Sequence, residues 1–150
     1  MSVRCKPRRM GGFSLLELMV TVAVAAILFT IAVPTYQAQV RKSRRTEART
    51  AVMDLATREE RYYSVNNDYS DSALQLGYGA QDAAINNLTI GNGYYQVSVV
   101  KRAAAPPKLA GFTVTATAFG PQLKDTACQT FLVDETGTQT SAPSTTECWN

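Results

Sequence analysis

Three residues near the start of the chain carry chemistry that an ordinary apolar helix lacks: Gly12, Phe13 and Glu17. Gly12 closes a stretch holding Arg4, Lys6, Arg8 and Arg9, and Phe13 opens an apolar run. If a peptidase cut after Gly12, Phe13 would carry a new α-amino group. From Phe13 to Val33 the chain runs 21 residues with Glu17 as its only charge, close to the ~20 residues that span a bilayer's hydrocarbon. A carboxylate at that depth costs roughly 2.5 to 3.5 kcal/mol and calls for a partner. The amine made by cutting would lie four residues before Glu17, so charge and partner would be made together.

The run Arg8-Arg9-Met10-Gly11-Gly12-Phe13-Ser14-Leu15-Leu16-Glu17-Leu18 resembles the class III signal of type IV prepilins. That signal is a short basic leader ending in Gly, followed by Phe, with Glu at the fifth mature position. The resemblance implies that a prepilin peptidase cleaves between Gly12 and Phe13 on the cytoplasmic side and N-methylates Phe13. It also implies that the apolar helix is retained in a filament core, with Glu17 acting in assembly. An ordinary secretory signal is instead cut after its apolar region and removed.

Composition narrows the chemistry further. The 150 residues contain no His, which removes Ser-His, Cys-His and His-metal designs together. Gly77-Tyr78-Gly79 and Gly91-Asn92-Gly93 lack the strand-turn-helix context of a phosphate loop and read as turns. Asn66, Asp68 and Asp71 offer oxygens suited to Ca²⁺, though in a turn-rich stretch they read first as loop residues. No enzyme, cofactor or metal centre is expected. The leader holds four of the fifteen basic residues and no acid, so the mature chain carries eleven bases against twelve acids, and charge alone makes no case for nucleic acid. Cys5 leaves with the leader, and Cys128 and Cys148 remain. In an exported protein these two suggest one disulfide, worth on the order of 3 kcal/mol for a loop of about twenty residues.

The elements that must hold these residues follow from hydrophobic pattern. Residues 13–33 form the membrane and filament-core helix. Pro34 removes a backbone donor, so a kink or local melting is expected there. Over 34–64 the spacing of Tyr36, Val40, Ala48, Val52, Leu55 and Tyr62 gives an apolar stripe, while Arg41, Lys42, Arg44, Arg45, Arg49, Arg58 and Glu59 form a polar remainder read as a solvated face. The stripe needs a sheet to cover. Residues 65–93 are rich in Asn, Asp and Gly and read as a connection, with Ser70-Asp71-Ser72 capping a short helix that Gly77 ends. Tyr95, Val97 and Val99, then Phe112, Val114, Ala116 and Ala118, alternate with polar residues as strands with one buried face. Ala103 to Lys108, with Pro106-Pro107, is a loop. Phe131 to Val133, a turn over Asp134 to Gly137, and Thr138 to Thr140 read as a third strand, a turn and a short fourth. Tyr62, Tyr63, Tyr94 and Tyr95 are placed at the seam of helix and sheet.

The expected class is therefore α+β, a long helix on a three- or four-stranded antiparallel sheet, divided as 1–12 leader, 13–33 membrane helix, 34–64 amphipathic half and 65–150 head. This order is similar to the pilin fold. Arg58-Glu59-Glu60-Arg61-Tyr62-Tyr63 and Glu147-Cys148-Trp149 further resemble PilE-type minor pilins of type IVa pili. The resemblance implies a structural subunit in assembly, adhesion or twitching motility, with other major and minor pilins, prepilin peptidase, the inner-membrane assembly machinery and membrane lipid as partners. Leader charges close to the apolar run put the amino end in the cytoplasm, with the head in the periplasm and later on a surface pilus of a Gram-negative bacterium. Two alternatives share these features: a pseudopilin of type II secretion, and a DNA-capturing minor pilin using Lys101, Arg102, Lys108 and Lys124.

Overall fold

The computed structural model describes residues 14–107, 109–145 and 147–149. The chain divides into two units, one ending at Gln37 and one running from Ala38. Helix α1, Leu15–Asn66, contributes to both.

In the first unit no described residue is buried, and large apolar side chains such as Leu15, Leu16, Met19, Val22, Phe29 and Ile31 stand in the open. This helix is long and apolar enough to cross a membrane. Its hydroxyls are suited to that solvent: Thr21 donates to the Leu18 carbonyl at 2.9 Å, Thr30 to Ile27 at 2.7 Å and Thr35 to Ile31 at 2.9 Å. Each polar hydrogen is satisfied within the helix, which hydrocarbon demands. The expected melting at Pro34 does not occur, because helical structure continues through it. A single proline removes one backbone donor, and the hydrogen-bonded turns on both sides persist.

The second unit holds the head. From Ala48 onward α1 buries Ala48, Val52, Leu55, Ala56 and Glu59, a one-sided stripe at helical spacing. Tyr36, by contrast, is exposed and Val40 only half-buried. The helix ends at Asn66, and Asn67 takes the left-handed conformation (φ 52°) with its N–H on the Tyr63 carbonyl at 2.8 Å, a turn that Asn tolerates better than most residues.

Five antiparallel strands follow in meander order: β1 Leu88–Ile90, β2 Tyr95–Arg102, β3 Gly111–Ala118, β4 Cys128–Asp134 and β5 Gln139–Pro143. The expected three or four strands thus become five. The unexpected strand is β1, whose three residues pair Leu88 with Val97 and Ile90 with Tyr95. It is too short to show alternation and sits among turn residues. The expected short helix after Ser72 is also corrected: Ser72 bridges Ala84, and Leu76 N–H on Ser72, Gly77 on Leu74 and Tyr78 on Ala73 close one irregular turn. Gly77 at φ 69° breaks the helical path before a second turn can form.

The inner face of the sheet is as alternation predicts, with Tyr95, Val97, Val99, Phe112, Val114, Ala116, Ala118, Phe131 and Val133 buried. Tyr69, Leu76 and Ile85 from the connection complete the core. Two hairpin-like ends result: Tyr95 pairs with Ala118 at one, and Arg102 with Gly111 at the other.

Candidate functional sites in the apolar helix and the head

Gly12 and Phe13 lie outside the described residues. Glu17 stands in the first turn of α1, where a helix amino end favours negative charge. It is exposed on a segment that otherwise presents only apolar, small and hydroxyl side chains through Val33.

Cys128 and Cys148 are joined in a disulfide closing a separation of 20 residues, with both cysteines buried. The bond has company. Trp149 stacks edge-on against Phe131 with centroids 5.6 Å apart, and its indole N–H donates to the Thr140 carbonyl at 2.9 Å. Arg49 Nη1 donates to the Trp149 carbonyl at 3.1 Å. The closing segment is therefore fastened to both sheet and helix.

The arginine-rich turn of α1 is less solvated than its sequence suggests. Arg45 makes a two-pronged pair with Asp125, Nε to Oδ2 at 2.7 Å and Nη2 to Oδ1 at 2.8 Å, and the side chains are only 16% and 4% exposed. The Asp125 hydrogen bonds hold the guanidinium above its ordinary pKa against the cost of burial. Gln122 joins them, its Nε2 donating to Asp125 Oδ2, the Tyr95 hydroxyl and the Arg41 carbonyl at 3.1, 3.1 and 3.2 Å. Tyr95 is buried here, and that desolvation pushes its phenol up to about 12. Arg44 lies over the Tyr94 ring at 3.6 Å. Arg58 pairs with Asp54 at 2.9 Å and donates to the Leu76 and Gly77 carbonyls, tying the connecting loop to the helix.

Glu59 is the second feature that sequence pattern left among the solvated residues. It is fully buried, with Oε2 accepting the Ser70 N–H at 3.0 Å and Oε1 unpartnered. Desolvation pushes its carboxyl up to about 7, the Ser70 bond opposes this, Asp71 and Glu60 add to it, and Lys101 subtracts. The signal was present in the spacing. Glu59 follows Val52 by seven residues and Leu55 by four, so the stripe runs through it.

Of the four head bases, the three described ones do not assemble. Lys101 and Arg102 end β2, whereas Lys124 ends a 3₁₀ turn, Gly120–Lys124, beyond the opposite end of β3. The length of β2 alone separates them by roughly 23 Å. Arg102 is also engaged by Glu135, and Lys108 lies outside the described residues. In the Asn66 to Asp71 loop, Asn66 donates to the Tyr62 carbonyl at 3.0 Å and Asp68 accepts the Tyr69 N–H at 2.9 Å. Among the described residues no three acids, cysteines or histidines gather around a common point. The tyrosines do meet at the seam: Tyr95 is buried, Tyr62 and Tyr94 pack against the core, and Tyr63 stacks on Tyr69 at 4.6 Å.

With this geometry in place, likeness to known proteins becomes informative. Residues 34–132 match the family described as "Type IV minor pilin ComP, DNA uptake sequence receptor", and residues 7–33 match the prokaryotic N-terminal methylation motif. The chain is 36% identical over 78 residues to the type IV major pilin protein PilA of Myxococcus xanthus (strain DK1622), covering 52% of this chain and 35% of PilA. It is 38% identical over 93 residues to the fimbrial protein EcpC of Eikenella corrodens, covering 62% of this chain and 55% of EcpC. The chain thus spans about a third and about half of these relatives. A solved type IV pilin from Shewanella oneidensis is 25% identical, with a TM-score of 0.47 over 73% of this chain and 98% of that one. The methylation motif at the amino end and the minor-pilin match through helix and sheet together place this chain in the type IV pilin family.

Proposed function

We propose that the chain is a minor pilin, cut between Gly12 and Phe13, N-methylated at Phe13, held in the inner membrane by residues 13–33 and then drawn into a type IV pilus. The observation that carries this reading is the contrast between the two units. The head from Ala38 onward has its own core, while the segment before it presents bare apolar surface on every side with one acid in its first turn. Such a segment needs lipid or other helices around it. Glu17 pairs with the Phe13 amine of a neighbouring subunit, so its desolvation is offset only in the growing filament. Glu17→Ala is therefore cut normally and fails to enter sheared surface filaments. Entry at the wild-type level contradicts the pairing, and recovery of the protein only from a secretion complex favours a pseudopilin.

A second reading is favoured by the match of residues 34–132 to a family described as a DNA uptake receptor: the head captures DNA for uptake. Lys101 near one end of the sheet and Lys124 beyond the other, together with Arg102 and Lys108, would then hold phosphates of a duplex. Each phosphate contact contributes about one unit to the slope of log affinity against log salt. Replacing Lys101, Arg102, Lys108 and Lys124 with Ala abolishes binding and slope if this reading holds. Unchanged binding in that variant removes these residues from any DNA role.

A further inference from the structure

We propose that Arg41, Lys42, Arg44 and Lys124, with the exposed side chains of Phe119 and Leu123 beside them, form a collar that binds the anionic phospholipid headgroups of the bilayer. The inference rests on the membrane-inserted reading given above and adds a lipid partner for the head.

The fold builds this collar from distant parts of the sequence. Gln122, in the turn that ends at Lys124, donates to the Arg41 carbonyl, and the adjacent Asp125 grips Arg45. These contacts fix Lys124 beside the start of the head's helix. Among the described residues Arg41, Lys42 and Lys124 make no ion pair. Asp125 is paired with Arg45, which leaves Glu47, whose carboxylate accepts the Asn92 N–H at 2.7 Å, and Glu147, whose charge acts on Arg45, as two acids against the four bases of the collar. Net positive charge is therefore left facing solvent. Arg44 keeps its charge while stacked on Tyr94.

Two further observations favour lipid over nucleic acid. Phe119 is 47% exposed and Leu123 54% exposed on the same turn as Lys124, and bases flanked by exposed apolar side chains are the pattern of interfacial membrane binding. Arg41 follows Val33, the last residue of the apolar run, by only eight residues. So short a tether in the chain keeps these bases near the surface of a bilayer that holds the apolar run. Attraction to anionic lipid then restrains the head at the surface until filament entry removes it.

The test uses the full chain in nanodiscs of phosphatidylcholine, alone or mixed with phosphatidylglycerol, each doped with a lipid spin-labelled at its headgroup. Paramagnetic relaxation is read at the backbone amides of Phe119, Gly120, Gln122, Leu123 and Lys124, with Gly137 in the β4–β5 turn at the far end of the sheet as internal reference. The collar predicts relaxation at Leu123 and Lys124 at least about threefold stronger with phosphatidylglycerol, as expected for a surface worth severalfold per base. The effect vanishes in Lys42→Glu/Lys124→Glu, while Gly137 is unaffected throughout. Equal relaxation in both lipids, survival of the effect in the charge-reversed variant, or displacement by a second copy of the chain at the same lipid content would overturn the collar. Binding of duplex DNA through these bases, with no lipid dependence, would overturn it in favour of nucleic acid. An alkaline wash separates the two levels of failure: a chain that leaves the nanodisc contradicts the membrane-inserted reading itself, and one that stays without lipid-dependent relaxation contradicts the collar alone.

Discussion

Glu59 shows how one side chain can set the response of the head to pH. Burial pushes its carboxyl from 4.5 up to about 7, so within that window the folded head keeps a proton that the unfolded chain has released. The unfolded state binds fewer protons there, and stability falls as pH rises from about 4.5 to about 7, by on the order of 1–3 kcal/mol. Glu59→Gln keeps a carbonyl for the Ser70 N–H and removes the charge. Melting temperatures of the two proteins should converge near pH 5 and diverge at pH 8, with the variant higher. Parallel profiles would show that the buried acid does not govern the transition. Arg45 makes the opposite case, since Arg45→Ala leaves Asp125 buried and charged, a loss of about 3–5 kcal/mol. Pairing it with Asp125→Asn should recover part of that in urea unfolding. Neither residue declared itself as buried in a linear reading. Glu59 could have been found from its spacing to Val52, whereas Arg45 and Asp125 meet across 80 positions, a distance that no local pattern spans.

At the scale of elements, legibility followed periodicity. The long helix, the inner faces of β2 and β3, the proline-rich loop and the turn before β5 were all readable, because each carries a period of 3.6 or 2 or a turn residue. What was missed lacks a period. β1 has three residues, and the stretch after Ser72 has helix-like composition but closes as one irregular turn that Gly77 ends. Gly91 shows why that region is turn-bound: at φ 48° a side chain would be strained, and a Cβ there would meet the Glu47 carboxylate. Replacing Gly91 with Ala should therefore break the Glu47 to Asn92 contact and loosen β1, seen as faster amide exchange at Leu88 to Ile90. The disulfide belongs to this scale too. Cys128→Ser/Cys148→Ser should cost about 2–5 kcal/mol, toward the lower end because Trp149 and Arg49 also hold the segment. A non-reducing peptide map of the purified protein should give one linked pair, and two free thiols would contradict it.

The whole molecule carries a head with its own core and a segment whose surface belongs in hydrocarbon or among like helices. Lys101 and Arg102 lie at one end of the sheet and Lys124 beyond the other, because strand order rather than sequence proximity decides where they fall. The central claim is that cutting before Phe13 makes the amine Glu17 needs, and that the product enters a filament. The most direct measurement is the mass of the amino-terminal peptide of this chain recovered from sheared surface filaments. The account predicts a chain beginning at Phe13 with one methyl on its amine. Filament-borne protein beginning at an unmodified Met1 would contradict it.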